Sequence, residues 1–277
     1  GRLLSQWQSG RHRYTIRVWY GRSDNRVCST CPKRLMQELK TEYDCVILIL
    51  TDHSDKDTGD LFIGPDESGI FFHELLTPFQ EVIHGSMMYI AACGSIVNNE
   101  ESFNRMCSTI AKFHISNALA FDAPCLQTIN VVEALVRVTK SVVIHGFDFT
   151  HSLGHVLRES TYLGMHTGIV HFSLGDQENV NISKVVKYVW AHCNYQPWGM
   201  ELPMQCPQCG TVQKWPSVQT GDGGYMYECV YWRCGYNSNA RWAWLHTMTV
   251  EHPKGATLLK LNGGQGGWMR VSICELS

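Results

Sequence analysis

The stretch from Cys45 to Ser95 constrains the fold more than any other part of this chain. Two short apolar runs, Val46–Leu50 and Met87–Ala92, bracket it. Unbroken runs of this length suit strands covered on both faces, as in a parallel sheet. Between them Phe71, Phe72, Leu75, Leu76, Phe79, Val82 and Ile83 recur at helical spacing. A helix over 71–83 can therefore return the chain for a parallel crossover. His53 lies just past the first run and Cys93 just past the second. The crossover brings an imidazole and a thiol to one carboxyl edge, where ligands and chemistry collect in open α/β sheets. Turn signals at Thr58–Gly59–Asp60 and Gly64–Pro65–Asp66 flank Leu61–Ile63, which predicts a small β-excursion before the helix.

Upstream, Tyr14–Tyr20 alternates as a strand, and Pro32 stands at the first turn of a helix with Leu35, Met36, Leu39 and Tyr43 on one face. Downstream, Glu100, Glu101 and Ser102 read as a helix start, with Phe103, Met106, Ile110 and Phe113 as its buried face. Asn117–Phe121 is the next strand, ending at Asp122. Two further helical stripes follow, Val131 to Val142 and Leu153 to Leu163, then a short strand at Ile169–Phe172. Val185, Val186, Val189, Trp190 and Cys193 predict a closing helix. Strands alternating with helices predict a three-layer α/β domain with a mostly parallel sheet over residues 10–195.

At Tyr195 the composition changes to a connector containing two prolines and a glycine, YQPWGMELPMQ. Then come Cys206-Pro-Gln-Cys209-Gly and Cys229-Val-Tyr-Trp-Arg-Cys234-Gly. Two close-spaced thiol pairs about twenty residues apart, each followed by Gly, are what a tetrahedral site with four thiolate ligands requires. A hairpin with its tip at Gly221–Gly224 would bring the pairs together. The expected cofactor is a structural zinc held by Cys206, Cys209, Cys229 and Cys234. The strands expected at Arg241–Thr247, Leu258–Leu261 and Trp268–Cys274 complete a small β-rich zinc-ribbon module over 196–277. Gly263–Gly267 lacks a following Lys-Ser/Thr and opens no helix, so it reads as a turn and not a phosphate loop.

The chain has 277 residues with 44% hydrophobic and 17% charged content, enough apolar mass for a globular core. Of its twelve cysteines, four form the paired knuckles and several others sit in apolar runs. That usage fits a reducing compartment with a metal site better than a disulfide framework. The chain opens on Gly1, without a Met-led signal or an apolar run long enough to span a membrane, so the expected location is intracellular, in the cytoplasm. A net charge of −2 gives no overall drive toward nucleic acid or anionic lipid. Residues 200–277 carry six Lys/Arg against five Asp/Glu, which disfavours a nucleic-acid-binding ribbon. Residues 1–40, with nine Lys/Arg against Asp24 and Glu38, are a solvated arm or a docking surface for a partner protein. Cys28 and Cys31 form a lone CxxC, read as loop packing.

A cysteine nucleophile needs an imidazole to carry its proton and backbone donors for the oxyanion. Cys93, followed by Gly94-Ser95, and His53 can supply these. The bland alternative is a small buried hydrophobe at a strand end beside one of thirteen histidines. Among rival imidazoles, His84 enters the Cys93 strand at its amino end and His145-Gly146 continues a helix. His151 and His155 share a helix face at a spacing that metals also use.

An apolar strand ending in His, a helix, then an apolar strand ending in Ala-Cys resembles the caspase-like cysteine peptidases, in particular the CHAT-type branch related to caspases and separases. The segments CGSIVNNEESF and FDFTHSLGHVLRESTYLGMHTGIV are similar to CHAT-like proteins of mushroom-forming fungi. The likeness covers about residues 14–175. It implies a peptide-bond hydrolase acting on a protein or peptide substrate, with Cys93 as nucleophile and His53 as general acid/base. It also implies an oxyanion hole from the amides of Cys93 and Ser54, and Asp122 as an acid for a basic P1 residue. The family carries His-Gly where this chain has His53-Ser54, which motivates the alternative of a catalytically silent scaffold binding partner proteins. A zinc-ribbon nucleic-acid binder is the third alternative.

Overall fold

The computed structural model describes residues 2–9, 12–18, 37, 45–62, 69–70, 72–174, 182–220, 223–235, 245–262 and 266–274. Cys28, Cys31 and, apart from helical Gln37, the helix expected from Pro32 to Tyr43 lie outside the described residues. Strands β1 (Arg2–Ser9) and β2 (His12–Val18) form a separate antiparallel hairpin. The strand expected at Tyr14–Tyr20 thus pairs locally instead of joining the main sheet.

The crossover stands as expected. Strand β3 (Ile47–Leu50) leads through a two-stranded excursion, β4 (Leu61–Phe62) against β5 (Gly69–Ile70), to helix α1 (Phe72–Leu76) and then strand β6 (Met87–Ile90). β3 and β6 run parallel, with Ile47 opposite Met87 and Leu50 opposite Ile90. The helix is shorter than the predicted 71–83. It passes at Thr77–Phe79 into a 3₁₀ turn containing Pro78, which has no N–H to continue the α-ladder and disfavours a helical residue before it.

Next come α2 (Ser95–Asn98), α3 (Glu100–Lys112), β7 (Asn117–Phe121), α4 (Thr128–Thr139), α5 (Phe149–Leu157), α6 (Thr161–His166), β8 (Ile169–Leu174) and β9 (Ile182–Ala191). Local chemistry sets the start of α3. The Asn99 side chain accepts a hydrogen bond from the Ser102 amide, Glu100 and Glu101 occupy the first turn, and Lys112 the last.

Helices cover both faces of the sheet, so the three layers are present. β6 and β7 alternate between them: Tyr89, Leu119 and Phe121 pack with Val131, Leu135 and Leu153 on one side. Met88, Ile90, Ala118 and Ala120 pack with Ile96, Met106 and Ile110 on the other. Each such fully buried Leu or Ile contributes roughly 1.5–3 kcal/mol over leaving it in water.

Two expectations are corrected. The sheet is mixed, not mostly parallel: β3, β6 and β7 are parallel, and β8, β9 and the remaining strands join antiparallel. The segment from Val185 to Cys193, expected to close the domain as a helix, instead lies in and just beyond the ten-residue strand β9. Its β-branched and aromatic side chains suit a pleated, doubly covered surface, with Val186, Tyr188 and Trp190 on one face and Val185 on the other.

The tail also differs from the expected 196–277 module. Strands β10 (Ser217–Gln219), β11 (Tyr225–Glu228) and β12 (Thr247–Val250) form a small antiparallel sheet. However, β13 (Thr257–Lys260) and β14 (Gly267–Cys274) return to the main sheet, β14 pairing with β9. The seven strands lie in the order β13-β14-β9-β8-β7-β6-β3. The cysteine-rich module is therefore an insertion between β9 and β13. Trp268 on β14 is fully buried and meets Trp190 edge to face at 6.0 Å, an apolar reason for the tail to rejoin the large sheet. Among the described residues no helix is long and apolar enough to cross a membrane.

Candidate functional site

The crossover delivers both residues to the edge that the sequence predicts. Cys93 Sγ lies 3.7 Å from His53 Nδ1, with the thiol half-buried and the imidazole exposed. A partly accessible thiol beside an imidazole can pass its proton to the ring and attack an incoming electrophile. The rivals lie elsewhere. His84 stacks on His114 at 4.9 Å before β6, and His145 packs on Phe147. His155 lies 3.8 Å from Glu159.

The loop after His53 is tied down locally. The Asp52 carboxylate accepts the His53 amide at 2.8 Å, Ser54 bridges Leu61, and the Phe62 amide donates to the His53 carbonyl. A Cβ on Gly59 would lie 2.6 Å from Ser102 Oγ and 2.9 Å from the Ser95 carbonyl, so a glycine is required where this loop crosses the start of α3.

Ser54 follows His53 where the resemblance leads one to expect a glycine. Among the described non-glycine residues only His114 and Trp198 have positive φ, so Ser54 carries no left-handed strain. Its side chain is buried, donating to the Cys93 carbonyl at 2.9 Å and lying 2.6 Å from Ser95 Oγ. Nothing in the local sequence pairs Ser54 with a residue 41 positions away, so the sequence points to the Ser54 amide alone and not to this hydroxyl.

Asp122, expected as an acid for a basic P1 residue, is engaged by groups of the chain itself. Its carboxylate takes Lys187 Nζ at 2.9 Å, the Gly168 amide at 2.6 Å and the Thr167 hydroxyl at 3.3 Å. The Asp122 carbonyl accepts from Asn98 Nδ2 at 2.8 Å, and a Cβ on Gly94 would lie 2.2 Å from that oxygen. Asp122 therefore buttresses the turn after Cys93 while its charge is neutralised by the chain's own lysine.

The second cysteine site is the knuckle pair. The sulfurs of Cys206, Cys209, Cys229 and Cys234 all lie within 4.8 Å of one another, with 3.7 Å between Cys206 and Cys234 and between Cys209 and Cys229. Four sulfurs about 2.3 Å from one tetrahedral zinc stand about 3.8 Å apart, so the donor set and spacing are compatible with zinc. Gly210 and Gly235, the residues after each pair, have φ of 71° and 70°, where glycine avoids a Cβ clash. The longer second pair closes through the Cys234 amide donating to the Tyr231 carbonyl. The β10–β11 hairpin brings the pairs together as expected.

Electrostatics at this cluster also suit a cation. The Thr211 hydroxyl and amide beside Cys209 bring its thiol down to about 6, whereas burial pushes Cys229 and Cys234 up. Buried thiols that resist ionising alone become thiolates when a divalent metal supplies the opposing charge. Trp215, Tyr227 and Val250 pack around the four cysteines. The Tyr227 hydroxyl donates to the Cys193 carbonyl at 2.5 Å, which fastens the module to the end of β9.

Comparison with family models, with curated proteins and with solved structures returns no match for this chain.

Proposed function

We propose that this chain is a caspase-like, CHAT-type cysteine endopeptidase carrying a structural zinc ribbon. The observation that carries the proposal is the 3.7 Å approach of Cys93 Sγ to His53 Nδ1 across the ends of two parallel strands. In the proposed reaction His53 takes the thiol proton as Cys93 sulfur bonds to the scissile carbonyl carbon. The carbonyl electron pair moves onto oxygen, facing the amides of Cys93 and Ser54, for which no acceptor is found among the described residues. The C–N bond then breaks, and the imidazolium returns its proton to the leaving amine. Water, deprotonated by His53, next bonds to the thioester carbonyl carbon; the C–S bond breaks to release the acid, and the imidazolium returns its proton to the Cys93 thiolate. In the ribbon, zinc would hold the knuckle loops and supply no chemistry to the edge.

The test is selective alkylation. Cys93 should react with iodoacetamide or an acyloxymethyl ketone faster than exposed Cys125, and His53→Ala should remove the difference. Equal rates in both proteins would instead favour a silent scaffold. That second reading has its own support: Val230, Tyr231 and Trp232 are all exposed on the second knuckle, Trp232 at 69% with Arg233 stacked on it at 4.2 Å. Such a surface suits a protein partner.

A further inference from the structure

The proposed peptidase chemistry uses the amide of Ser54 and leaves its hydroxyl without a task. Yet this side chain is the buried link between the two catalytic loops, and its hydrogen bonds have a fixed direction. The Cys93 carbonyl, 2.9 Å away, can only accept, so Ser54 donates its single proton there. Ser95 Oγ, 2.6 Å away, must therefore donate to Ser54. The result is a one-way relay from Ser95 to Ser54 to the Cys93 carbonyl.

The other polar atom of the same peptide is held from the opposite side, the Gly94 amide donating to the Ala123 carbonyl at 2.7 Å. The Cys93–Gly94 peptide is thus fastened by its oxygen to the His53 loop and by its nitrogen to the end of β7. There is no slack between them, because Gly94 already packs backbone to backbone against Asp122.

Resting on the peptidase reading, we propose that Ser54 and Ser95 are positioning residues that lock the peptide plane of the nucleophile. The lock sets how far the Cys93 sulfur can stray from His53. In a near-attack geometry a shift of one ångström is costly. A glycine at position 54 would have no hydroxyl and could not form this side-chain clamp on the cysteine.

The test uses the full chain and two readouts. The first is the iodoacetamide labelling rate of Cys93 from mildly acidic to mildly alkaline pH, with Cys125 on the same molecules as reference. The second is amide hydrogen exchange of the segment 91–99. Ser54→Ala should slow Cys93 labelling about tenfold, the size of one lost buried hydrogen bond, and change its pH profile. It should speed exchange at Gly94 and leave Cys125 unaltered. Ser54→Thr, which keeps a hydroxyl, should recover to within about threefold of the parent.

An unchanged Cys93 rate, pH profile and Gly94 exchange in Ser54→Ala would overturn the clamp. So would equal changes at Cys125 and in remote segments, the mark of general loosening. Should Ser54→Ala fail to fold, Ser95→Ala cuts the same relay at its donor end and is read in the same way. If parent Cys93 labels no faster than Cys125 and ignores His53→Ala, the peptidase reading fails, and exchange at Gly94 still decides the clamp.

Discussion

The two cysteine sites pose opposite electrostatic problems with the same atom. At the sheet edge one half-buried sulfur stands beside one exposed imidazole. In the inserted module four sulfurs crowd within 4.8 Å. A lone thiol next to a base can lose its proton transiently and become a nucleophile. Four thiolates at that spacing repel one another unless a cation sits between them. Reactivity therefore comes from keeping a thiol solitary and reachable, and stability from crowding thiols and closing them off.

Metal removal separates the sites most sharply. Elemental analysis should find one zinc per chain, lost in Cys206→Ser or on chelation. The module should unfold with it, since structural zinc in small domains contributes on the order of 10 kcal/mol. The main sheet should persist although β13 and β14 follow the module in the chain. An unfolded insertion is a longer loop, and doubling a loop costs only about 0.6 kcal/mol in closure entropy. Two melting transitions, one abolished by chelator, are expected. A single transition that moves wholly with the metal would show the insertion and the sheet to be one cooperative unit.

His53→Ala is the reverse test. It should lower Cys93 alkylation at neutral pH about a hundredfold, the low end for losing a positioned base, and leave zinc content and both transitions in place. A loss confined to the labelling rate confirms that the sites are chemically independent.

Acid should distinguish them again. His171 on β8 is 2% exposed, its ring 2.9 Å from Asn117 Oδ1 and stacked on Phe149. Burial, with Arg270 adding to it, lowers its proton affinity from the ordinary 6.5 to about 4. Between those values the unfolded chain binds the proton and the folded chain does not, so stability is full above about pH 6.5 and falls as pH drops toward 4. Such a shift corresponds to on the order of 3 kcal/mol of the main sheet's stability. Urea unfolding at both ends of the window, with chelator present to keep metal release out of the slope, should show this loss, and His171→Gln should flatten it.

How much of this was legible follows from what each signal depends on. The crossover was readable because two unbroken apolar runs with a helical stripe between them have few other solutions. The gathering of Cys206, Cys209, Cys229 and Cys234 was readable because knuckle spacing is a local property. The 182–191 strand was not, since Val185, Val186, Val189 and Trp190 satisfy a helical period as well as a doubly buried strand, and only pairing with β8 and β14 decides. The return of β13 and β14 depends on Trp268 meeting Trp190, a contact across the whole insertion. Ser54 and Asp122 sat at the predicted edge, but what their side chains bind is set by residues 41 and 65 positions away.

The smallest expected effect concerns Asp122, the acid whose role the two chemistries divide. With side chains 19% and 32% exposed, the Asp122–Lys187 pair is partly screened, so Asp122→Asn should cost only about 1 kcal/mol in thermal stability. It keeps an oxygen for the Gly168 amide and should change Cys93 labelling less than about twofold, within the usual range for a substitution outside the reacting atoms. The variant also asks what Lys187 is doing. If peptides with arginine or lysine at P1 were cut selectively more slowly in Asp122→Asn, the carboxylate would have to release Lys187 to receive them. A substrate cation would then compete with one already 2.9 Å from the acid, and Lys187→Met in an active enzyme would raise the rate on the same peptides by emptying the seat. If neither substitution alters the P1 preference, the pair is a brace behind Gly94, and selectivity at this edge must come from groups other than Asp122.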